Sequence, residues 1–317
     1  MSNLRVGVIG VGYLGRFHAQ KYAQLTDATL IGIFDLDPER AKSVATETNC
    51  RAFDDVDALI DATDALSIAS NTPSHHDLVA RCLAKGRHVF VEKPIAETSE
   101  QAAALVKAAA KNNLKLQVGH IERFNPALIA ARKHMHDVRF IECHRLAAFK
   151  HRGADVDVVL DLMIHDLDVI LSIVDSEPAR VSAMGLPVLT EKIDIANARI
   201  EFDNGAVANV TASRVSTGAQ RKLRIFQAQQ YMGVDFGEAR VQRVTRSADW
   251  DGVEDPLDLS ETSYDRGDAL LAEIDSFVTA IREDRPVVVS GHDGQRVLEL
   301  AEAILERMQQ RGARADG

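Results

Sequence analysis

Over the first 120 residues, short apolar, β-branched runs alternate with stretches of helical period. Arg5–Ile9, Thr29–Phe34, Ala65–Ala69, His88–Val91 and Lys115–Val118 are compact and apolar-rich, as strands buried on both faces of a parallel sheet must be. Tyr13–Leu25, Pro38–Thr48 and Ser99–Lys111 fall between them with helical spacing. Asp37 before Pro38 reads as an N-cap followed by a proline whose missing N–H costs nothing at the first helical position. Strand and helix in alternation predict a parallel sheet wrapped by helices. Beyond residue 120 the pattern changes. A helix over Asn125–His134, a strand near Val138–Leu146 and a helix from about Asp157 to Val174 come first. Runs at Arg180–Gly185, Ala196–Phe202, Ala206–Ser213, Arg221–Gln227 and Tyr231–Phe236 follow. Asp203-Asn204-Gly205 supplies residues that tolerate the positive φ of a tight hairpin. These features predict an open, mostly antiparallel sheet. Residues 246–266 read as a long polar loop, Asp268–Arg282 as a helix, Pro286–Val289 as extended, Gly294–Gln310 as a final helix and Arg311–Gly317 as a fraying tail.

Composition narrows the class. A chain of 317 residues with 46% apolar positions is large enough for two domains without covalent staples. Its three cysteines, Cys50, Cys82 and Cys143, lack the spacing of a redox pair or zinc cluster and fit a reduced, cytoplasmic setting as small apolar fillers. The amino terminus lacks the pattern of a secretory signal, and no apolar run reaches the ~20 residues of a membrane span. Acidic residues outnumber basic ones by 47 to 37, a net charge of −10, without a dense basic patch, so nucleic acid and membrane are not expected partners.

Gly10-x-Gly12-x-x-Gly15 lies between a predicted strand and a predicted helix, the context that makes three glycines a phosphate-binding turn rather than an ordinary loop. Tyr13 and Leu14 sit in the same turn, where helix N-terminal amides can meet a pyrophosphate. Asp35, at the end of the second strand, is placed to accept ribose hydroxyls and to repel a 2′-phosphate. NAD is therefore the expected cofactor, the more so because no arginine directly follows Asp35. Asn71, Thr72 and His75 follow the next strand at the same sheet edge, where they either contact the nicotinamide ribose or cap the following helix; Ser74 and His76 read as capping and surface.

Glu92-Lys93-Pro94 ends the strand His88–Val91 about eighty residues after the glycine turn. A lysine before proline is held extended, and an ammonium there can hydrogen-bond an oxygen that gains or loses hydride. The plainer alternative is a surface pair of Glu92 with Lys93. Asp161 and His165 stand four apart on one predicted helical face. The imidazole can accept a hydroxyl proton while the carboxylate orients it; a helix-surface ion pair is the alternative, and no metal is expected because no third ligand is evident. Asp166 and Asp168 read as capping or structural. In the run Gly119–Pro126, Arg123 could pair with a phosphate and Asn125 with a sugar hydroxyl, although Asn125 ahead of Pro126 serves equally well as a cap. His120, Glu122, Arg145 and Lys150 receive no role.

Taken together, the glycine turn, Asp35, Glu92-Lys93-Pro94, the Asp161–His165 pair and the open antiparallel sheet resemble the glucose–fructose oxidoreductase/inositol dehydrogenase/rhizopine-catabolism family over nearly the whole chain. The resemblance implies an α/β, N-terminal Rossmann domain (residues 1–120) that binds NAD, contacted by Gly10, Gly12, Tyr13, Leu14, Gly15, Asp35, Asn71, Thr72, His75, Glu92 and Lys93. It implies a C-terminal α+β domain (121–317), carrying the open sheet, for substrate binding and homo-oligomer formation as dimer or tetramer, with a final helix that can pack back on the first domain. By position, Lys93 and His165 would handle the proton and Asp161 support them. Met163 stands where many members have glycine. The runs Gly119–Pro126 and Leu160–Asp168 resemble the UDP-N-acetylglucosamine 3-dehydrogenase branch, which implies a UDP-sugar substrate, bound by Lys93, Arg123, Phe124, Asn125, Asp161 and His165. Its 3-hydroxyl would be oxidised, and an aminotransferase would use the ketone in making amino sugar for lipid A. A free-sugar or inositol dehydrogenase and a catalytically silent NAD-binding regulator are the other readings.

Overall fold

The computed structural model describes residues 3–151, 153–247 and 257–315. The chain forms two compact units, Met1–Ile121 with Asp268–Leu298, and Glu122–Gly267 with Glu299–Gly317. The first unit opens with β1 (Leu4–Ile9), α1 (Tyr13–Tyr22), β2 (Ala28–Phe34), α2 (Pro38–Thr48), β3 (Arg51–Ala52) and α3 (Val56–Ala62). It continues with β4 (Ala65–Ile68), α4 (His75–Ala84), β5 (His88–Glu92), α5 (Ser99–Lys111) and β6 (Leu116–Gly119). All pairings in its sheet are parallel, in the order β3-β2-β1-β4-β5-β6. Strand order reverses between β1 and β4, where open α/β sheets leave a ligand crevice beyond the strand ends.

Local chemistry starts the helices where this crevice needs them. The Asp37 carboxylate accepts from the Glu39 and Arg40 amides at 3.1 Å and starts α2; those bonds, the Arg40 amide first, hold its carboxyl below the usual range. Thr98 and Gln101 form a reciprocal capping box on α5. β3 and α3 were not legible in the sequence, being only two and seven residues long. Asp55 nevertheless caps α3 by accepting from the Asp57 and Ala58 amides at 3.2 Å.

The second unit contains α6 (Pro126–Arg132), β7 (Phe140–Leu146), a π-helical turn (Val159–Met163), α7 (Ile164–Ile173) and β8 (Pro178–Leu186). After these come β9 (Ile195–Phe202), β10 (Val207–Ser213), β11 (Gln220–Gln227), β12 (Gln230–Asp235), β13 (Arg240–Arg246) and β14 (Leu257–Ser263). The eight strands run β14-β13-β12-β11-β7-β10-β9-β8, antiparallel except for β7 with β10. Burial alternates along β7, β9 and β10, so one face of the sheet supplies the core. Gly205 at φ +83° closes the β9–β10 hairpin, its amide donating to the Phe202 carbonyl at 2.9 Å.

Three sequence expectations change. Within 246–266, expected to be loop, Leu257–Ser263 pairs with β13 as an edge strand; its residues are all exposed, so backbone pairing rather than burial makes it a strand, and polarity hid it. Arg246 ends β13 and 264–266 have no regular structure, as expected, while residues 248–256 lie outside the described residues. Pro286–Val289 forms no strand ladder; its neighbour Ser290 makes a single bridge to Gln117. The last helix, α9 (Gly291–Ala315), starts three residues earlier than expected and continues into the tail expected to fray, while 316–317 lie outside the described residues. Ser290 Oγ accepts from the Asp293 amide at 3.1 Å and the Ser290 amide donates to Asp293 at 2.7 Å, a reciprocal cap. Gly291 and Gly294 weaken the helical pattern in sequence but are needed for packing, since a Cβ would lie 2.7 Å from Leu116 and 2.6 Å from Val118.

The helix α8 (Ala269–Arg282) completes the core of the first unit although it follows the second in sequence. Phe277 meets Phe90 edge-on at 5.9 Å, and Gln117 donates to the Glu273 carbonyl at 3.1 Å.

Candidate active site

In the first unit the three glycines have distinct physical duties. Gly10 has φ +81°, and a Cβ there would lie 2.7 Å from the Ser70 backbone; β1 can thus turn tightly against the end of β4. At Gly15 a Cβ would fall 1.8 Å from the Gly10 carbonyl oxygen, so only glycine lets α1 approach the strand. Gly12 has nothing within 4 Å of its Cβ position. The N-cap of α1 is Gly12, which has no side chain to bond the first helical amides. Open space before uncapped helical amides is what a pyrophosphate fills, so these residues fit a dinucleotide.

Gly10, Gly12, Asp35 and Asn71 line one cleft of about 710 Å³. The Asp35 carboxylate accepts from the amides of Val11 at 2.8 Å and Asp37 at 2.9 Å, which ties the end of β2 to the glycine turn. Leu36, 91% exposed, and Leu78 supply apolar wall. Neither was expected from the sequence, nor were Val56 and Arg40, whereas Ser70, which also lines the cleft, opens the polar run at this sheet edge. An exposed leucine directly after Asp35 was the available signal. Arg40 does not follow Asp35 in sequence, but α2 carries its guanidinium to 3.4 Å from Asp35 and 3.1 Å from Asp37. Tyr13 lines a neighbouring cleft of about 560 Å³ with Gly12 and Arg40, and Leu14 lies in the first turn of α1.

Other expected cofactor residues are placed differently. Thr72 opens a short 3-10 turn, Thr72–Ser74, where Ser74 Oγ donates to the Asn71 carbonyl at 2.8 Å. His75, expected at the ribose, is 1% exposed and spans two backbone carbonyls, Pro94 at 2.8 Å from Nδ1 and Ser70 at 3.1 Å from Nε2. Glu92 is likewise turned inward. It bonds His18 Nε2 at 2.9 Å, accepts weakly from the Lys93 amide at 3.3 Å and packs against Gly119, whose Cβ would lie 3.0 Å away. Burial works to raise the Glu92 carboxyl, but the His18 hydrogen bond and the nearby cations outweigh it and hold it below the usual range. Glu92 is thus buried rather than at the surface, with its carboxylate facing His18 and the Lys93 amide. Lys93 is half-buried at the exit of β5.

In the second unit, Asp161 lies in the π-helical turn and His165 in the first turn of α7. Closing bonds i→i+5 widens that turn, a form enriched at functional sites, and four residues then fall just short of one revolution instead of just beyond it. Asp161 and His165 thus stay on nearly the same side of the helix. Gly153, at φ +81°, lies against Asp161: a Cβ there would be 2.9 Å from Oδ2. Arg214 clamps this loop by donating at 2.6 Å to both the Gly153 and Val156 carbonyls.

Arg123, expected at a phosphate, directs its fork to the buried Asp168 at 2.7 and 2.8 Å. Phe124 is buried, 8% exposed. Asn125 caps α6 by accepting from the Ala127 amide at 3.1 Å and donates to the Phe236 carbonyl at 3.1 Å, the capping alternative. Arg145 bonds Asp166 at 2.7 Å and Glu122 at 2.8 Å. Burial opposes its charge, but the two carboxylates win and raise its pKa above the usual value. This charged cluster beneath the start of α7 was not legible in the sequence.

Burial pushes the Cys82 thiol up to about 12 and raises that of Cys143, as expected of packing cysteines. Among the described residues, no group of three or more His, Cys, Asp or Glu side chains is placed to hold a metal ion, and no helix is long and apolar enough to cross a membrane.

The parallel sheet with its reversal at β1/β4, the glycine turn and Asp35 define a dinucleotide-dependent oxidoreductase. Residues 4–120 match the model of an oxidoreductase family with NAD-binding Rossmann fold, and residues 133–230 match the GFO/IDH/MocA C-terminal domain. The chain belongs to this family and is an NAD-dependent dehydrogenase. A UDP-N-acetylglucosamine 3-dehydrogenase of Acidithiobacillus ferrooxidans is 43% identical, with 97% of this chain and 100% of that protein covered. A crystal structure of the enzyme of that name from the same organism superposes with a TM-score of 0.92 at 41% identity, covering 98% of this chain and 99% of its own. An oxidoreductase of Agrobacterium radiobacter in complex with NAD+, 20% identical, shares the fold at a TM-score of 0.86, with 97% of both chains covered.

Asp35→Ser should narrow the preference for NAD over NADP, because a 2′-phosphate no longer faces that carboxylate. The same change releases Arg40 from Asp35, so NADPH affinity should rise in absolute terms, and Arg40→Ala in that background should remove the gain. Fluorescence titration with both reduced cofactors measures this. Equal affinities in the unmodified protein would refute the role given to Asp35.

Proposed function

We propose that the protein oxidises the 3-hydroxyl of UDP-N-acetylglucosamine to a ketone with NAD. The observation that carries this reading is its full-length similarity, at 43% identity, to an enzyme of that name; retention of Lys93, Asp161 and His165 supports catalysis rather than a silent NAD-binding regulator. Bound NAD supplies the hydride acceptor. Lys93 donates a hydrogen bond to the reacting oxygen, His165 takes the hydroxyl proton, and Asp161 orients the imidazole. The product ketone suits a separate aminotransferase, and so amino-sugar synthesis for lipid A. Cysteines without disulfide bonds, Cys82 and Cys143 buried and Cys50 half-buried, support a reducing, cytoplasmic setting. The test is to incubate the protein with NAD and a panel of UDP-sugars, free sugars and inositols while following reduced-cofactor absorbance. Reduction with UDP-N-acetylglucosamine, and a 3-keto product, is expected; turnover only with inositols or free sugars would assign the other dehydrogenase reading, and NAD binding without turnover the regulator.

We also infer a homo-oligomer, a dimer or tetramer. Its support is the sheet of the second unit, whose other face is only partly covered, with Met184 and Leu186 on β8 and Leu257 and Leu259 on β14 between 48% and 65% exposed. Light scattering should give a multiple of the chain mass, and a monomer across micromolar concentrations would rule this out.

A further inference from the structure

His75 has no part in the chemistry proposed above, yet it is 1% exposed and each ring nitrogen lies against a backbone carbonyl. These carbonyls belong to two functional segments. Ser70 follows β4, seats the Gly10 turn and lines the Asp35 cleft. Pro94 directly follows Lys93. We propose that His75 is a positioning residue for Lys93, its Nδ1–H holding the Pro94 carbonyl and so fixing where the lysine leaves β5. This inference rests on the reading of Lys93 as the group that acts on the substrate oxygen.

The proton assignment follows from burial and distance. Burial lowers the pKa of His75 even though both carbonyls work to raise it, so the ring is neutral and carries one N–H. The shorter contact, 2.8 Å to Pro94 against 3.1 Å to Ser70, takes the proton. The contact at Ser70 then places Nε2 beside an oxygen without a hydrogen between them, a cost the fold accepts for the bond at Pro94. Small displacements of a catalytic group cost large factors in rate, which gives a buried strut behind Lys93 a kinetic consequence.

The two nitrogens can be separated by substitution. The amide nitrogen of Asn approximates Nδ1 and that of Gln approximates Nε2. His75→Asn should keep most of the turnover number, whereas His75→Gln and His75→Ala should lose about 10-fold or more, with NAD affinity changed less than about 3-fold because the phosphate turn and Asp35 are intact. Equal turnover in the Asn and Gln variants, or losses that only follow the folded fraction in thermal melts, would overturn the proposal. Nitrogen NMR of the unmodified protein supplies a check independent of any variant: the Nδ1–H tautomer is expected, and the Nε2–H tautomer would overturn it. Lys93→Met separates the two ideas. If it retains turnover, the reading of Lys93 fails; if it is inactive while His75→Ala is unaffected, only the role of His75 fails.

Discussion

Lys93→Met and His165→Asn should each lower turnover by ~10²-fold or more, the scale for losing a placed acid or base, with NAD binding nearly unchanged. The separation is expected because the groups that fit the dinucleotide are elsewhere: Gly10 and Gly12 at the turn, and Asp35 tied to Val11 and Asp37. The rise of activity with pH that an imidazole base produces should vanish in His165→Asn. Asp161→Asn should have a smaller or equal effect, since it orients the ring and carries no proton. Steady-state rates across pH, with cofactor titrations on the same samples, measure all three. A His165→Asn protein with unchanged rate and profile would make the Asp161–His165 pair a structural contact, and Lys93 would be the next candidate for the base.

Arg145→Met should destabilise the second unit by about 3–5 kcal/mol, the range for removing one partner of a buried ion pair. Arg145 is 5% exposed, and its loss leaves Glu122, 6% exposed, and Asp166, 1% exposed, without the cation that neutralises them. Neutralising the carboxylates as well, in Glu122→Gln/Arg145→Met/Asp166→Asn, should recover part of the loss, because the larger cost is an uncompensated buried charge rather than the lost bonds. Urea denaturation midpoints measure both proteins. An Arg145→Met midpoint equal to that of the unmodified protein would show that water reaches the cluster. Asp166 neighbours His165, so this variant should also lose activity at temperatures where it remains folded.

Spacing along the chain determined everything that depends on a backbone conformation or a local cap. The glycine turn, the Asp37 cap with Pro38, the limits of α2 and α5 and the Gly205 hairpin could be read because each requires a residue type at one fixed offset. Asp161 and His165 were legible together for the same reason, as a helix places residues four apart on one side, and the wider π turn alters this only slightly. Tertiary structure decided what the polar side chains touch. Arg123 and a phosphate are compatible in sequence, but burial of Asp168 demanded a cation and took Arg123. His75 could have faced a ribose, yet two carbonyls 24 residues apart in sequence converge on its ring. Arg40 reaches Asp35 only because α2 turns it back. Asp166 could be read as structural, but Glu122 and Arg145 carried no readable role, because the partners of Arg145 lie 21 and 23 residues away and only folding brings buried charges together where each must find its opposite.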